Sequence, residues 1–304
     1  MSTLEKTKPL TIRKLHPHFA AEVVAPDLRN LTDTETLELL RSAMDEYAVL
    51  VFRNQKFTND EQLAFAERFD GTLHAKTSVA VVAKNRFGNE AITDGSNLDA
   101  DGKIRASDDR ARMISLSNRL WHTDASFQDP PGRYSMLSGR LIPPVRADTD
   151  FADMRAAYDA LDEVTKASLV GLRVHHTAAY SRQALGFEFS AEELEKLKGA
   201  RHPLVRTMPR TGRLSLYLAS HASHVIDWPV PEGRMLLLEL MEHATQQQFV
   251  YTHEWQQDDF VIWDNRSTMH RARPFDDKKY RRDVRRTTTL DLPFTIGEGV
   301  SNSI

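Results

Sequence analysis

A His-x-Asp pair in the first half of the chain is the residue pattern best suited to metal chemistry. His122 and Asp124 lie in the stretch WHTDASF, residues 121–127. On a strand or an extended loop, residues i and i+2 face the same side, so this imidazole and this carboxylate can bind one ion together. A second histidine would complete a two-His-one-carboxylate triad, which leaves positions on Fe(II) open for a co-substrate and O2. In a chain with 12 histidines, about one such pair arises by chance, so the pair alone does not establish a site.

The second histidine is expected well downstream, near the end of a strand. His270 fits because it follows the apolar run FVIWDN at 260–265, which predicts a strand that closes in a turn. His243 adjoins Glu242 in a predicted helix, which favours a surface position. His253 alternates with aromatic residues along a predicted strand, which favours the core. The other downstream candidates are His175, His176, His202, His221 and His224.

A basic tract follows His270, with the sequence KKYRRDVRR at 278–286. Clustered charge of this kind usually forms a solvated or phosphate-binding surface. If the segment is extended, Arg282 and Arg286 share one face, about 13 Å apart at ~3.3 Å per residue, and Arg281 and Arg285 share the other. Each guanidinium can bind a carboxylate through two hydrogen bonds. The tract therefore predicts two carboxylate-binding positions near one metal.

The composition limits the classes of protein that the chain can form. It has 304 residues, 40% hydrophobic and 27% charged, with a net charge of -3, so no overall basic field attracts nucleic acid. The absence of cysteine excludes disulfides, Cys-ligated zinc, iron–sulfur clusters and thiol nucleophiles. The N-terminus has no apolar core of signal-peptide length, and the densest apolar run, residues 235–241, is too short for a bilayer. We therefore expect a cytoplasmic protein without nucleic-acid or membrane partners.

Helical and strand patterns alternate along the chain and must position these residues. Capping boxes predict helix starts at 32–35, 58–61 and 190–193. Apolar residues at helical spacing predict further helices at 152–161, 164–172 and 231–246. Strands are predicted at 10–15, 21–24, 48–52, 134–141, 204–207, 214–218, 249–255, 260–263 and 287–292. The polar residues 89–112 form either a lid or an ordinary surface loop. No repeat or linker interrupts the chain, so we expect one α+β domain, residues 1–304, with flexible ends at about 1–9 and 293–304.

Four motifs in order resemble the taurine/chlorophenoxyacetate dioxygenase family of Fe(II)- and 2-oxoglutarate-dependent enzymes. They are WHTD at 121–124, DT at 148–149, WDNRSTMH at 263–270 and RRDVRR at 281–286. The resemblance covers roughly residues 10–292 and looks closest to the 2,4-dichlorophenoxyacetate dioxygenase branch. That branch is also resembled by the segments at 133–138, 151–161, 221–224, 231–237 and 242–245.

The resemblance implies a double-stranded β-helix, which is a jelly-roll core with helices packed outside it. It implies an oxygenase that requires Fe(II), 2-oxoglutarate and O2, with the 2-oxoglutarate bound to iron through its keto acid end. Trp263 is expected to pack near the iron. The implied iron ligands and candidate catalytic residues are His122, Asp124 and His270.

The family pattern also implies how the organic molecules bind. Thr149 and Arg282 would hold carboxylates of 2-oxoglutarate, Asn118 would lie beside the iron ligands, and Arg286 would hold the carboxylate of the substrate. His221 is either a hydrogen-bonded packing residue or a substrate contact. His74 belongs to the variable substrate loop at 72–85, with Lys76, Val79 and Val81.

Two departures from the family pattern put details in question. Arg146 and Ala147 stand where family members usually have two glycines, so the turn into Thr149 must differ. The arginine tract carries one extra residue after His270. The roles of Arg281 and Arg282, and those of Arg285 and Arg286, can therefore each slip by one position.

The expected reaction is hydroxylation of an aryloxyacetate next to its ether oxygen. The product would collapse to a phenol and glyoxylate, with succinate and CO2 formed from 2-oxoglutarate. The same chemistry on another small carboxylate or a sulfonate such as taurine is one alternative. A zinc-dependent hydrolase is another, since two histidines and an aspartate also bind zinc, and a jelly-roll binding protein without catalysis is a third. The family resemblance also allows a homo-oligomer, either a dimer or a tetramer.

Overall fold

The computed structural model describes residues 10–75 and 86–292 of the chain. The helices in this part of the chain are α1 (Thr34–Tyr47), α2 (Asn59–Asp70), α3 (Arg110–Ser115), α4 (Met154–Asp159), α5 (Glu163–Leu169), α6 (Ala178–Gln183), α7 (Ala191–Lys196) and α8 (Val230–Ala244). None of these described helices is long and apolar enough to cross a membrane. The flexible ends predicted at 1–9 and 293–304, and the loop residues Lys76, Val79 and Val81, lie outside the described residues.

The described part of the chain also forms fifteen strands. They are β1 (Thr11–Lys14), β2 (Ala21–Val24), β3 (Val49–Phe52), β4 (Thr93–Asp94), β5 (Gly132–Leu141), β6 (Thr149–Asp153), β7 (Arg173–His176), β8 (Ala200–Pro203), β9 (Val205–Thr207), β10 (Leu214–Leu216), β11 (Ala222–Val225), β12 (Val250–His253), β13 (Phe260–Asp264), β14 (Thr268–Ala272) and β15 (Asp283–Leu290). Short 3-10 turns lie at Leu28–Asn30, Leu116–Arg119 and Gln247–Phe249.

Two sheets enclose the centre of the molecule. The major sheet has the order β1-β2-β3-β13-β5-β15-β4, in which only the β2–β3 pair is parallel among the described strands. The minor sheet has the order β12-β6-β14 and is antiparallel. The sheets β11-β7-β8 and β10-β9 and the helices cover the outside. The arrangement confirms the predicted α+β jelly-roll core.

Side-chain alternation along β3 shows how the major sheet is buried on both faces. Val49 and Val51 pack with Trp263 and with Phe151 of the minor sheet, which fills the space between the two sheets. The intervening residues, Leu50 and Phe52, pack outward against apolar residues of α1 and α2. Successive residues of a strand point to opposite faces, so a continuous apolar run is the pattern that this position requires.

The first predicted capping box is wrong by one residue. The N-cap of α1 is Asp33, not Thr32, because the Asp33 carboxylate accepts the Thr36 N–H at 2.7 Å. A carboxylate at a helix N-terminus also interacts favourably with the helix dipole. The boxes predicted at Thr58 and Ser190 are both confirmed.

The helix predicted at 152–161 is also wrong at its start. Ala152 and Asp153 end β6, and α4 begins only at Met154. Asp153 stops the strand and starts the helix, because its side chain accepts the backbone N–H groups of Arg155 and Ala156. The last strand begins at Asp283 rather than Thr287, so the second half of the arginine tract is extended, as its alternation predicted.

Candidate active site

His122 and His270 lie directly opposite each other on neighbouring extended segments. The His122 N–H donates to the His270 carbonyl at 3.0 Å, and the His270 N–H donates to the His122 carbonyl at 2.8 Å. Residue 122 therefore extends the minor sheet beyond β14. In such a directly opposed pair the side chains project from the same face. The two imidazole ring centres accordingly lie 4.2 Å apart.

Asp124 completes a compact group of candidate metal ligands. The Nε2 atom of His270 lies 3.6 Å from Asp124 Oδ2, and that of His122 lies 3.9 Å from Asp124 Oδ1. One ligand atom from each residue falls within 4.8 Å of the other two, and all three residues are buried. The Nδ1 atom of His122 lies 2.8 Å from the Leu120 carbonyl, a distance that fits N–H donation and leaves the Nε2 electron pair for a metal.

The electrostatics of the group favour the protonation states that bind a metal. Burial lowers the pKa of His122, and burial together with the neighbouring His122 holds the pKa of His270 well below its usual value. Burial alone would raise the pKa of the Asp124 carboxyl. The Arg286 guanidinium is the largest of the influences that oppose burial, and this pKa lies below its ordinary value. Neutral imidazoles beside an ionised carboxylate are the forms that bind a divalent cation.

A hydrogen-bond network fixes the Asp124 carboxylate. Ser135 Oγ donates to Asp124 Oδ2 at 2.8 Å, and Asn265 Nδ2 donates to Ser135 Oγ at 2.9 Å. Asn265 Oδ1 accepts the Asp124 N–H and the Trp263 indole N–H, each at 3.1 Å. The Trp263 ring centre lies 4.7 Å from that of His270, one of the three candidate metal ligands. Ser135 and Asn265 lie in segments that carry the family resemblance, at 133–138 and 263–270, but the sequence pattern assigns neither residue a role in the site.

Replacing Ser135 by alanine is expected to weaken metal binding roughly 10- to 100-fold, because the Asp124 carboxylate loses a partner that orients it. Titration with Mn(II) measures this affinity directly. Ser138→Ala is the matched control. It lies on the same strand, but its hydroxyl donates to the Gln62 side chain instead. Equal Mn(II) affinity in both variants would show that Ser135 does not support the metal site.

Two arginines of the basic tract point towards the site. Arg286 Nη1 donates to Asp124 Oδ1. Arg282 is buried, and its guanidinium carbon lies 5.8 Å from the ring centre of Trp255. The Trp255 indole N–H donates to Thr149 Oγ1 at 3.0 Å, so Thr149 and Arg282 contact the same indole. Burial lowers the pKa of Arg282 to about 10, which leaves it a cation at neutral pH.

The neighbouring arginines point elsewhere. Arg281 is exposed. Arg285 pairs with the Asp283 carboxylate at 3.0 Å and lies over the Phe87 ring, with its guanidinium carbon 4.2 Å from the ring centre. Of each adjacent pair, the residue directed at the site is the one to which the family resemblance gave a role, Arg282 or Arg286, and the alternation along the tract predicts these two on one face.

Of the other residues that the sequence suggested for the site, His221 and His74 are buried and Asn118 is exposed. His221 is buried, with its ring centre 6.0 Å from that of His122, and its Nδ1 atom lies 2.9 Å from Ser181 Oγ. His74 is buried beside β15, where its N–H donates to the Thr288 carbonyl at 2.7 Å. Asn118 is exposed on the 3-10 turn that precedes His122. The expected core position of His253 is confirmed, whereas His243 is half-buried and lies 2.8 Å from the Ala157 carbonyl.

Comparison with known proteins decides the family. The model of the family described as taurine catabolism dioxygenase TauD, TfdA family, matches residues 11–288. The chain belongs to the TauD/TfdA family. It is 48% identical over 279 residues to the alpha-ketoglutarate-dependent 2,4-dichlorophenoxyacetate dioxygenase of Cupriavidus pinatubonensis, covering 91% of this chain and 96% of that protein. It is 36% identical to the (S)-phenoxypropionate/alpha-ketoglutarate-dioxygenase of Sphingobium herbicidovorans, covering 87% and 90% of the two chains.

A solved structure supports the same family assignment for this TauD/TfdA protein. The crystal structure of AAD-2 in complex with Mn(II) and N-oxalylglycine superimposes with a TM-score of 0.84 at 44% identity, covering 93% of this chain and 97% of that one. The expected resemblance to the 2,4-dichlorophenoxyacetate dioxygenase branch is thereby confirmed.

The TauD/TfdA protein is accordingly a 2-oxoglutarate-dependent dioxygenase, an oxidoreductase that uses Fe(II), 2-oxoglutarate and O2 with a small-molecule substrate. The residues of the candidate active site fit both Fe(II) and 2-oxoglutarate. Two imidazole nitrogens and one carboxylate within 4.8 Å of one another suit Fe(II) and leave positions for other ligands. Buried arginines nearby supply the positive charge that a dicarboxylate co-substrate needs.

Proposed function

We propose that the enzyme hydroxylates an aryloxyacetate at the CH2 group between its ether oxygen and its carboxylate. One O2 and one 2-oxoglutarate are consumed, and one succinate and one CO2 are formed. The hydroxylated carbon is a hemiacetal, whose C–O bond to the aryl oxygen breaks to give a phenol and glyoxylate. The observation that carries the proposal is the Arg286 guanidinium at the Asp124 carboxylate, where it can also bind an acid group beside the metal.

The protein residues hold and orient the reactants. His122, Asp124 and His270 would hold Fe(II), which together with 2-oxoglutarate supplies the oxidation of a C–H bond by O2. Thr149 and Arg282, which contact the same Trp255 indole, would hold 2-oxoglutarate. Asn118 would contact the co-substrate from the 3-10 turn before His122.

The position of the reacting carbon would be set by Arg286. A guanidinium bound to the substrate carboxylate holds the adjacent CH2 group at a fixed distance from the metal ligands. His221, whose ring packs edge-on against Phe127 at 5.1 Å between ring centres, would contact the aromatic ring. His74, beside β15, would contact it from another wall.

Phenoxyacetate, incubated with Fe(II), 2-oxoglutarate and O2, is expected to yield phenol, glyoxylate and succinate in equal amounts. Chromatography of the three products and an oxygen electrode provide the measurement. The same assay is extended to a panel of arylpropionates and taurine. Succinate formation with one of these acids, without phenol from phenoxyacetate, would indicate that the substrate is another carboxylate or a sulfonate. Product release without oxygen uptake in a zinc-loaded sample would instead support the hydrolase alternative. The absence of succinate with every acid tested would refute the proposal.

We further propose that residues 1–304 form one dioxygenase domain, and that the enzyme is a cytoplasmic dimer or tetramer. The sharing of one core by β3 from the first third of the chain and β13 from the last supports a single domain. The requirement for 2-oxoglutarate, a metabolite of the cell interior, supports the location. A single cooperative unfolding transition would support one domain. Cell fractionation tests the location, and light scattering after size-exclusion chromatography tests the oligomeric state.

A further inference from the structure

Arg182, on the short helix α6, is a buried cation beside the candidate active site. Its Nη1 atom donates to the Ala178 carbonyl at 3.2 Å and to Ser181 Oγ at 3.1 Å. The same Ser181 hydroxyl lies 2.9 Å from His221 Nδ1, and the His221 ring is the one 6.0 Å from the ring of His122. Arg182 is therefore connected through one hydroxyl to a histidine that adjoins a metal ligand.

Arg182 has no anionic partner among residues 10–75 and 86–292. Burial is the sole influence on its pKa, which falls to about 10, and no acceptor in that part of the chain reaches its Nε atom. Other buried arginines are paired, for example Arg155 with Asp153 and Arg266 with Asp264. The sequence KTSVAVVAKN, at 76–85 between the described segments, contains no acidic residue.

Arg182 lies close to the site. Its hydrogen bond to Ser181 continues to His221, and the ring centre of His221 lies 6.0 Å from that of His122. A buried charge without a partner is costly, and a protein recovers that cost when an anion binds to it. The position therefore suits an anionic ligand that enters the active site.

The cations of the site can be matched to the carboxylates that enter it. An aryloxyacetate and 2-oxoglutarate together bring three carboxylates. Arg282 suits the 2-oxoglutarate end that is remote from the metal, and the charge of Arg286 is already balanced in part by Asp124. Arg182 is the further cation whose charge nothing in the described chain balances.

We propose that Arg182 binds the substrate carboxylate together with Arg286, approaching it from the side of His221. The inference rests on the proposed function and adds a specificity-determining residue to it. Ser181 positions the guanidinium through its hydrogen bond to Nη1. Neutral aryl ethers would then bind poorly, because they would leave the Arg182 guanidinium without an anion.

The Arg182→Met variant tests the proposal, with Arg182→Lys as the conservative change that keeps the charge. The KM for phenoxyacetate is expected to rise roughly 10- to 100-fold in Arg182→Met, as when a charged hydrogen-bond partner is lost, and less in Arg182→Lys. The KM for 2-oxoglutarate is expected to stay within about twofold of wild type, since Arg182 would not contact it. Arg201→Met, the same change at an exposed position on β8, is the matched control and should alter neither constant.

Thermal unfolding separates ligand binding from a structural role. Removing a buried charge without a partner is expected to raise the Tm of Arg182→Met in the absence of phenoxyacetate. Phenoxyacetate should raise the Tm of the wild type but not that of this variant. A lower Tm together with an unchanged KM for phenoxyacetate would overturn the proposal, as would a rise confined to the KM for 2-oxoglutarate. Failure of the wild type itself to consume phenoxyacetate would instead refute the proposed substrate.

Discussion

An enzyme with His270→Ala is expected to form succinate at least about a thousandfold more slowly than the wild type, because loss of a metal ligand exceeds the 10- to 100-fold cost of losing a residue that only orients one. The Nε2 atom of His270 lies 3.6 Å from Asp124, its ring centre lies 4.2 Å from that of His122, and no other histidine of the described chain belongs to this group of three. Succinate formation and Mn(II) binding should both be lost. The second measurement shows that the defect lies in the metal site rather than in the chemistry that follows.

His243→Ala is the control for this variant. That histidine lies on α8, where its Nε2 atom is 2.8 Å from the Ala157 carbonyl, and it belongs to no group of metal ligands in the described chain. It should retain the wild-type rate of succinate formation. Turnover by His270→Ala within tenfold of wild type would remove His270 from the ligand set.

Arg282→Ala is expected to raise the KM for 2-oxoglutarate about 100-fold or more while leaving the KM for phenoxyacetate nearly unchanged. Without Arg282, the 2-oxoglutarate carboxylate would stay buried but would lose its paired cation. Loss of one partner of such a pair typically weakens binding by ~2–5 kcal/mol. Arg282 is buried against Trp255, whose indole holds Thr149, so the variant removes one of two neighbouring contacts. Steady-state kinetics with each substrate varied in turn gives the two constants.

The adjacent arginines provide controls at the same point in the chain. Arg281→Ala removes an exposed side chain, and Arg285→Ala removes one that pairs with Asp283. Neither should change the KM for 2-oxoglutarate by more than about twofold, because Arg281 is exposed and Arg285 is held by Asp283 rather than directed at the site. A large effect of Arg281→Ala with none of Arg282→Ala would mean that the assignment had slipped by one residue.

The parts of the site that the sequence predicted are those with a local signature. The His-x-Asp spacing found His122 and Asp124, and a strand followed by a turn favoured His270. Strand alternation in the basic tract separated Arg282 and Arg286 from their neighbours, because extended backbone directs successive side chains to opposite faces. The predicted start of a helix was wrong where two adjacent residues could both serve as the N-cap, as with Thr32 and Asp33.

The parts that the sequence missed depend on contacts between distant segments. Ser135 reaches Asp124 only because β5 passes behind the metal ligands, and nothing in the local pattern around it differs from any other strand serine. Arg182 resembles a surface arginine of a short polar helix in sequence, yet it is buried without an acidic partner in the described chain. Burial and pairing of a charge are properties of the whole fold, so a local motif does not report them.

The direct backbone pairing of His122 with His270 has a consequence for the order in which the enzyme is made. Synthesis completes His122 and Asp124 while the chain that will form β14 has not yet been made. Two ligands on a short, unpaired segment bind an ion weakly, and the third arrives only when residue 122 aligns with β14. A nascent or partly folded chain is therefore expected to bind Fe(II) weakly, and oxygen activation is expected only once residue 122 has paired with β14.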